Sequence, residues 1–305
     1  MPFPPRCRVE PRPHQAFAII IDGREVACWH AGTDSPRPFL FPLVGPSGRS
    51  LTRIGHPGAP NHDHHLSVWF AHQSVERVDF WSNKPGPRIR QKEWLVQEDG
   101  DDEAVLAVRL GWNDGHDATD LLEQDVVFAA RPAAKPGEWF LEIQTTLKPN
   151  SPTLTFHQSN FGLLAVRVAR EISEHFGKGR ITGSDGKTGE PALFNQPNAW
   201  IDYSGTVPGH EEGITLIDNP GNIGHPPRWH VRADGWMGPS LTRTGDLTIR
   251  RESPLTIRYL LAIHAGTANP AIVAEATKTF SQSRPWSVLR STRPHRQFEA
   301  RRSGV

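Results

Sequence analysis

The chain predicts an all-β fold, a large antiparallel β-sandwich with one or two short helices. Three observations carry this prediction. Short apolar or alternating runs recur along the chain with Gly, Pro, Asn and Asp between them. Gly and Pro are abundant, at 27 and 28 residues, as many strands joined by turns require. Only Pro270–Phe280 has apolar residues at helical spacing, at Ile272, Val273, Ala276 and Phe280. Strands that follow one another without intervening helices argue against a βαβ fold.

In chain order, residues 1–14 are rich in Pro and Arg and read as an extended N-terminal arm. Phe17–Ile21 reads as a strand entering a tight Asp22-Gly23 turn, with Val26–His30 returning. Arg37–Leu43 is apolar but broken by Pro, which suits an edge strand or an extended segment. Leu66–Phe70, Glu93–Gln97, Ala104–Gly111 and Leu121–Ala129 are strand-like, and Trp139–Leu147 alternates well. The pattern continues through Leu163–Val168, Ala199–Tyr203, Gly213–Ile217, Leu247–Arg250 and Leu255–Ile263. From residue 290 the chain is basic and irregular and reads as a solvated tail. The expected organisation is therefore an arm over 1–14, one sandwich domain over 15–289 and a tail over 290–305.

With 34 basic and 33 acidic residues the net charge is +1, so nothing in the charge balance calls for nucleic acid or an anionic membrane. Cys7 and Cys28 are the only cysteines and form neither a metal spacing nor a disulfide framework. Met1–Arg6 lacks an apolar signal core, and no apolar run approaches the roughly 18 residues of a membrane span. These features predict a soluble, cytoplasmic protein.

The chemistry-bearing residues cluster. Gly55–His72 holds five of the fifteen histidines: His56, His62, His64, His65 and His72. Imidazole both titrates near neutral pH and ligates metals. In one extended strand, His62, His64 and His72 share a face and His65 takes the other. A turn before Leu66 instead brings His64 and His65 to one point. His62, His64 and His65 are the candidate ligands for a divalent transition metal, the candidate cofactor. A set of surface histidines without metal is the competing reading.

A second cluster, Asp218–Arg232, holds His225, Trp229, His230 and Arg232 around a Pro226-Pro227 loop. His230 and Arg232 alternate and so point the same way, as a pocket wall that binds anionic or carbonyl oxygens. A third, Thr155–Gly162, offers His157 and Asn160 as substrate contacts or as part of a hydrogen-bond cluster. Glu123, beside Leu121 and Val127, is a candidate general base if it faces inward. Asp114, His116, Asp117 and Asp120 form a polar loop that matches no Ca²⁺ site. Phosphate-loop, G-x-S-x-G and H-E-x-x-H patterns are absent.

Several ordered stretches carry a family resemblance: Arg37–Leu43 with Gly45–Gly48, His62–His72, Asp79–Trp81, Gly162–Ala169, Trp200–Gly205, and Asn219–Asn222 through His225-Pro226 to Trp229–Arg232. In these the chain resembles bacterial proteins labelled "methane oxygenase PmoA", a soluble family, over about Phe17–Phe280. The label does not suit a chain without transmembrane helices. The resemblance implies a supersandwich similar to the galactose-mutarotase type and carbohydrate chemistry. Members of the labelled family usually carry an acidic stretch where this chain reads His157–Gly162; if those carboxylates serve catalysis or metal binding, the resemblance implies altered chemistry or a different substrate here.

The leading expectation is a carbohydrate-active lyase or hydrolase, alternatively an isomerase, acting on a sugar or keto-glycoside. Its partner is a small carbohydrate. His64, His72 and His230 share acid and base roles with Glu123. Arg232 stabilises an oxyanion, and Trp69 or Trp229 stacks on the sugar. The alternatives are a metal-free mutarotase or epimerase using Glu123, and a non-catalytic carbohydrate-binding protein.

Overall fold

The computed structural model describes residues 4–56, 58 and 62–303. Met1–Phe3, Pro57, residues 59–61 of the histidine-rich run, and Gly304-Val305 lie outside the described residues.

Two eight-stranded antiparallel sheets face each other. The first runs, in spatial order, β1 (Cys7–Arg12), β2 (Ala16–Ile21), β3 (Arg24–His30), β4 (Phe39–Leu43), β5 (Val68–Ala71), β11 (Leu163–Arg167), β16 (Trp236–Ser240) and β15 (Arg228–Arg232). The second runs β12 (Arg180–Gly183), β13 (Trp200–Val207), β14 (His210–Asp218), β18 (Leu255–Ala265), β9 (Trp139–Pro149), β8 (Leu122–Pro132), β7 (Ala104–Asn113) and β6 (Arg88–Glu98). Two small pairs complete it: β10 (Thr153–Phe156) with β17 (Leu247–Arg250), and β19 (Trp286–Arg290) with β20 (Phe298–Arg302). The α-helices among the described residues are α1 (Glu174–Gly177), α2 (Glu190–Leu193) and α3 (Pro270–Gln282). The expected all-β sandwich is the observed fold, and no helix among the described residues is long and apolar enough to cross a membrane.

Period-2 alternation builds the core between the sheets. In β8, Val126, Phe128 and Ala130 turn inward while Val127 and Ala129 turn out. In β9, Leu141, Ile143 and Leu147 turn inward. Trp29 of β3 meets Phe128 of β8 at 5.0 Å between ring centroids, joining the two sheets. Each such side chain contributes about 1.5–3 kcal/mol by leaving water. On the outer face of the second sheet, α3 covers Trp200, Ile217 and Leu260 with Val273 and Phe280. Asn269 caps α3, accepting from the amides of Ala271 (3.0 Å) and Ile272 (3.4 Å). Ile272 itself is exposed.

Three elements differ from the sequence expectation. The N-terminal arm contains β1, an edge strand: Cys7 and Val9 bury themselves against β2, and Asp99 Oδ1 accepts from the Val9 amide at 2.8 Å. Arg37–Leu43 yields β4, which lies inside the sheet rather than at its edge. Pro42 is tolerated because β4 pairs with β5 only at Phe39 and Leu40, so no ladder bond is asked of it. The basic tail folds back as β20 on β19, with Trp286 and Ala300 covering Leu95, Val96, Val105 and Val127. Arg302 donates twice to buried Glu142 (2.9 and 2.8 Å) and Arg258 once (2.7 Å), so this one charge of the tail serves a buried ion-pair network, while Arg293, Arg296 and Arg301 stay exposed to solvent.

Candidate functional site

The same alternation that fills the core assembles a second surface on the outer face of the first sheet. On β15, Trp229 and Val231 turn inward, so His230 and Arg232 turn out. On β11, Val166 turns in and Arg167 out; on β5, Val68 and Phe70 turn in and Trp69 out. Met237 of β16 turns in and Trp236 out. The register sets Arg167 on one side of Trp236 and Arg232 on the other. A pocket of about 500 Å³ opens here, lined by His62, His64, His65, Trp81, Phe161, Arg167, His230, Arg232, Asp234 and Trp236.

Local bonds hold each wall. The chain turns at His62–His65, where the His65 amide donates to the His62 carbonyl (3.1 Å). Buried Arg37 ties this turn to the next loop, donating to the carbonyls of His64 (3.1 Å) and Ser82 (2.8 Å). The turn, not the single extended strand, brings His64 and His65 together, with ring centroids 4.4 Å apart. Asp79 folds the following loop by accepting from the amides of Trp81 (2.9 Å) and Ser82 (3.0 Å), which sets Trp81 over the pocket. Trp81 meets Phe161 at 4.4 Å and Trp236 at 5.5 Å between centroids, and together they form an aromatic wall. His65 is stacked between Trp69 (5.4 Å) and Trp236 (5.7 Å).

The polar hub is Asp234, in the turn between β15 and β16. It accepts both terminal nitrogens of buried Arg167, at 2.9 and 3.2 Å, and the ring of His56 lies 3.1 Å away. Burial pushes the Asp234 carboxyl up, but the bonds and charge of Arg167 outweigh it and hold the group below its ordinary value. Burial drives His65 and His62 below the ordinary imidazole range and lowers His230 to about 3. His230 packs on Trp236 with centroids 3.9 Å apart, and its Nδ1 lies 3.2 Å from the Asn160 carbonyl. A carbonyl only accepts, so Nδ1 carries the proton and Nε2 keeps its lone pair.

Among the predicted residues, the pocket brings together His62, His64, His65, His230 and Arg232. The three candidate metal ligands approach as rings, His62–His65 at 5.1 Å and His62–His64 at 5.9 Å. Among the described residues no three His, Cys, Asp or Glu side chains form a group fit to hold a metal ion. Asn160 serves through its carbonyl, which also accepts from Ser240 (2.6 Å) and Arg243 (3.0 Å).

The other candidates lie outside the lining. Trp69 is packed behind His65, and Trp229 is a core residue whose Nε1 donates to the Asn198 carbonyl (2.7 Å). His72 is buried, with Nε2 2.9 Å from Thr242 Oγ1 and Nδ1 accepting from the Ser74 amide (3.1 Å). His157 pairs with Asp246 at 2.9 Å. Glu123 stands on β8 of the second sheet, opposite Gly111 and Lys148.

Arg167, Asp234, Trp81, Phe161 and Trp236 are pocket residues not singled out as candidates from the sequence. A charged residue closing the apolar run Leu163–Val166 is the signal that would have drawn attention to Arg167. Asp234-Gly235 reads as a turn, and only its pairing across the fold makes it a site residue.

No functionally curated protein matches the chain. A model of DUF6807, a family of unknown function, matches residues 16–278, and the protein belongs to that family.

Proposed function

We propose that the protein is an acid–base enzyme that isomerises or cleaves a carbohydrate, a sugar or keto-glycoside, in the outer-face pocket. The observation that carries the reading is His230: a neutral imidazole of fixed tautomer, set against an aromatic wall and two positions from Arg232. Aromatic faces suit the C–H faces of a sugar ring, while arginine and imidazole suit its oxygens. The resemblance to the PmoA-labelled proteins points to the same substrate class.

The chemistry follows from these groups. A ring ketone acidifies the neighbouring C–H. His230 Nε2 takes that proton, and Arg232 stabilises the enolate oxygen that forms. Burial makes His230 a weak base in the free protein and its conjugate acid a strong donor, so the proton is readily returned. Return to a neighbouring carbon isomerises the sugar; loss of a glycosidic oxygen, protonated from the pocket, cleaves it. His64 is the side chain we assign to that second proton.

The test is product formation from a panel of aldoses, keto-sugars and keto-glycosides. His230→Ala is expected to lower turnover by about 10²–10⁴-fold with folding intact. Turnover unchanged in that variant overturns the reading. The mechanism uses no metal, so protein treated with chelator should keep its activity. Activity lost to chelator and restored by a divalent ion would return His62, His64 and His65 to the role of ligands.

A further inference from the structure

The charges around the pocket do not balance. Its lining holds Arg167 and Arg232 against one carboxylate, Asp234, and Arg167 consumes both oxygens of that carboxylate. Arg232 approaches Glu190 through Nε at 3.2 Å, and its side chain is 49% exposed. Its two terminal nitrogens donate to no described residue. They form a planar fork at the pocket mouth, the geometry that grips a carboxylate or phosphate.

Three further arginines reach the pocket's walls without an ion pair among the described residues. Arg37, fully buried, donates only to the carbonyls of His64 and Ser82. Arg53 donates to the carbonyls of Asp234 (2.7 Å) and Val168 (3.2 Å). Arg243 donates to the Asn160 carbonyl, the one that holds His230. Asp79 faces Arg37 at longer range, but Lys84 is already 3.6 Å from it. Arg37 is buried and so weakly screened; together with Arg53 and Arg243, which are partly exposed, it biases the pocket toward positive potential.

We infer that the ligand of this pocket is an anionic carbohydrate whose acidic group is held by Arg232. The inference rests on the carbohydrate reading above and extends it to the substrate's charge. It also resolves a feature of that reading. A negative charge brought beside His230 favours its protonated form, so the substrate itself raises the basicity that burial has taken away.

Calorimetric titration with glucose, galactose, their uronic acids, glucose 6-phosphate and succinate tests this. At least one acidic sugar should bind about tenfold or more tightly than its neutral parent, and added NaCl should narrow the gap. Arg232→Gln should close the gap, and Arg232→Lys should restore part of it. Uronate against phosphate then tells which acid the site takes. Equal binding of neutral and acidic sugars overturns the inference and leaves the carbohydrate reading standing. Succinate binding as tightly as the uronates, lost in Arg232→Gln, supports the anion site and overturns the carbohydrate reading. Absence of binding by every acidic probe, or a gap that survives Arg232→Gln, overturns the inference.

Discussion

At the scale of single residues, the site depends on imidazoles kept neutral by burial and on one buried ion pair. His72, though outside the pocket lining, shows what such burial does to an imidazole. Burial lowers it from 6.5 to about 4, so the unfolded chain binds its proton more readily than the folded one. Its contribution to stability is full above about pH 6.5 and is lost as the pH falls toward 4; at pH 5 the loss is about 2 kcal/mol. His65 and His230 shift in the same direction. Denaturant unfolding between pH 8 and 5 should therefore show marked acid destabilisation, and His72→Gln should flatten it. Asp234→Asn leaves Arg167 buried without its partner and should cost about 3 kcal/mol, read as a lower denaturant midpoint. Imidazole clustering and strand alternation made His62, His64, His65, His230 and Arg232 legible in the sequence. Arg167 and Asp234 were not, because they are 67 residues apart and meet only in the folded sheet. Trp69 and Trp229 misled because the residue type that stacks on sugars also fills cores.

At the scale of elements, the β15–β16 hairpin carries the pocket. It presents His230, Arg232, Asp234 and Trp236 on a rigid ladder beside β11. Gly238 lies opposite His230, and a Cβ there would stand 2.7 Å from the Leu164 carbonyl. Gly238→Ala must therefore push β16 off β11. We expect a loss of about 1–3 kcal/mol and of ligand binding together, measured by thermal unfolding and calorimetry on the same preparation. The strands with clear alternation, such as β9 and β18, could be read directly. Others were not read as strands, β10, β12, β16 and β19 among them, while β1 and β20 bury few apolar residues of their own. Cys7 and Val9, or Ala300, gain their meaning from the partner strand that covers them.

At the scale of the whole molecule, one sandwich supports two surfaces. Its core, filled from both sheets, could be inferred from composition and period. Which outer face carries the candidate site could not, since neither Glu123, a base only if it faced inward, nor His230, a residue of an expected pocket wall, reveals its sheet from its local pattern. The register of β5, β11, β16 and β15 decides where the polar residues converge. Deuterium uptake from D₂O into the C–H beside a keto-sugar carbonyl, followed by NMR, tests that assignment most directly, because exchange reports proton abstraction whether or not product forms. The wild-type protein should show exchange, undiminished in Glu123→Gln and lowered at least about 100-fold in a folded His230→Ala variant. Exchange abolished by Glu123→Gln and retained by His230→Ala would contradict that assignment.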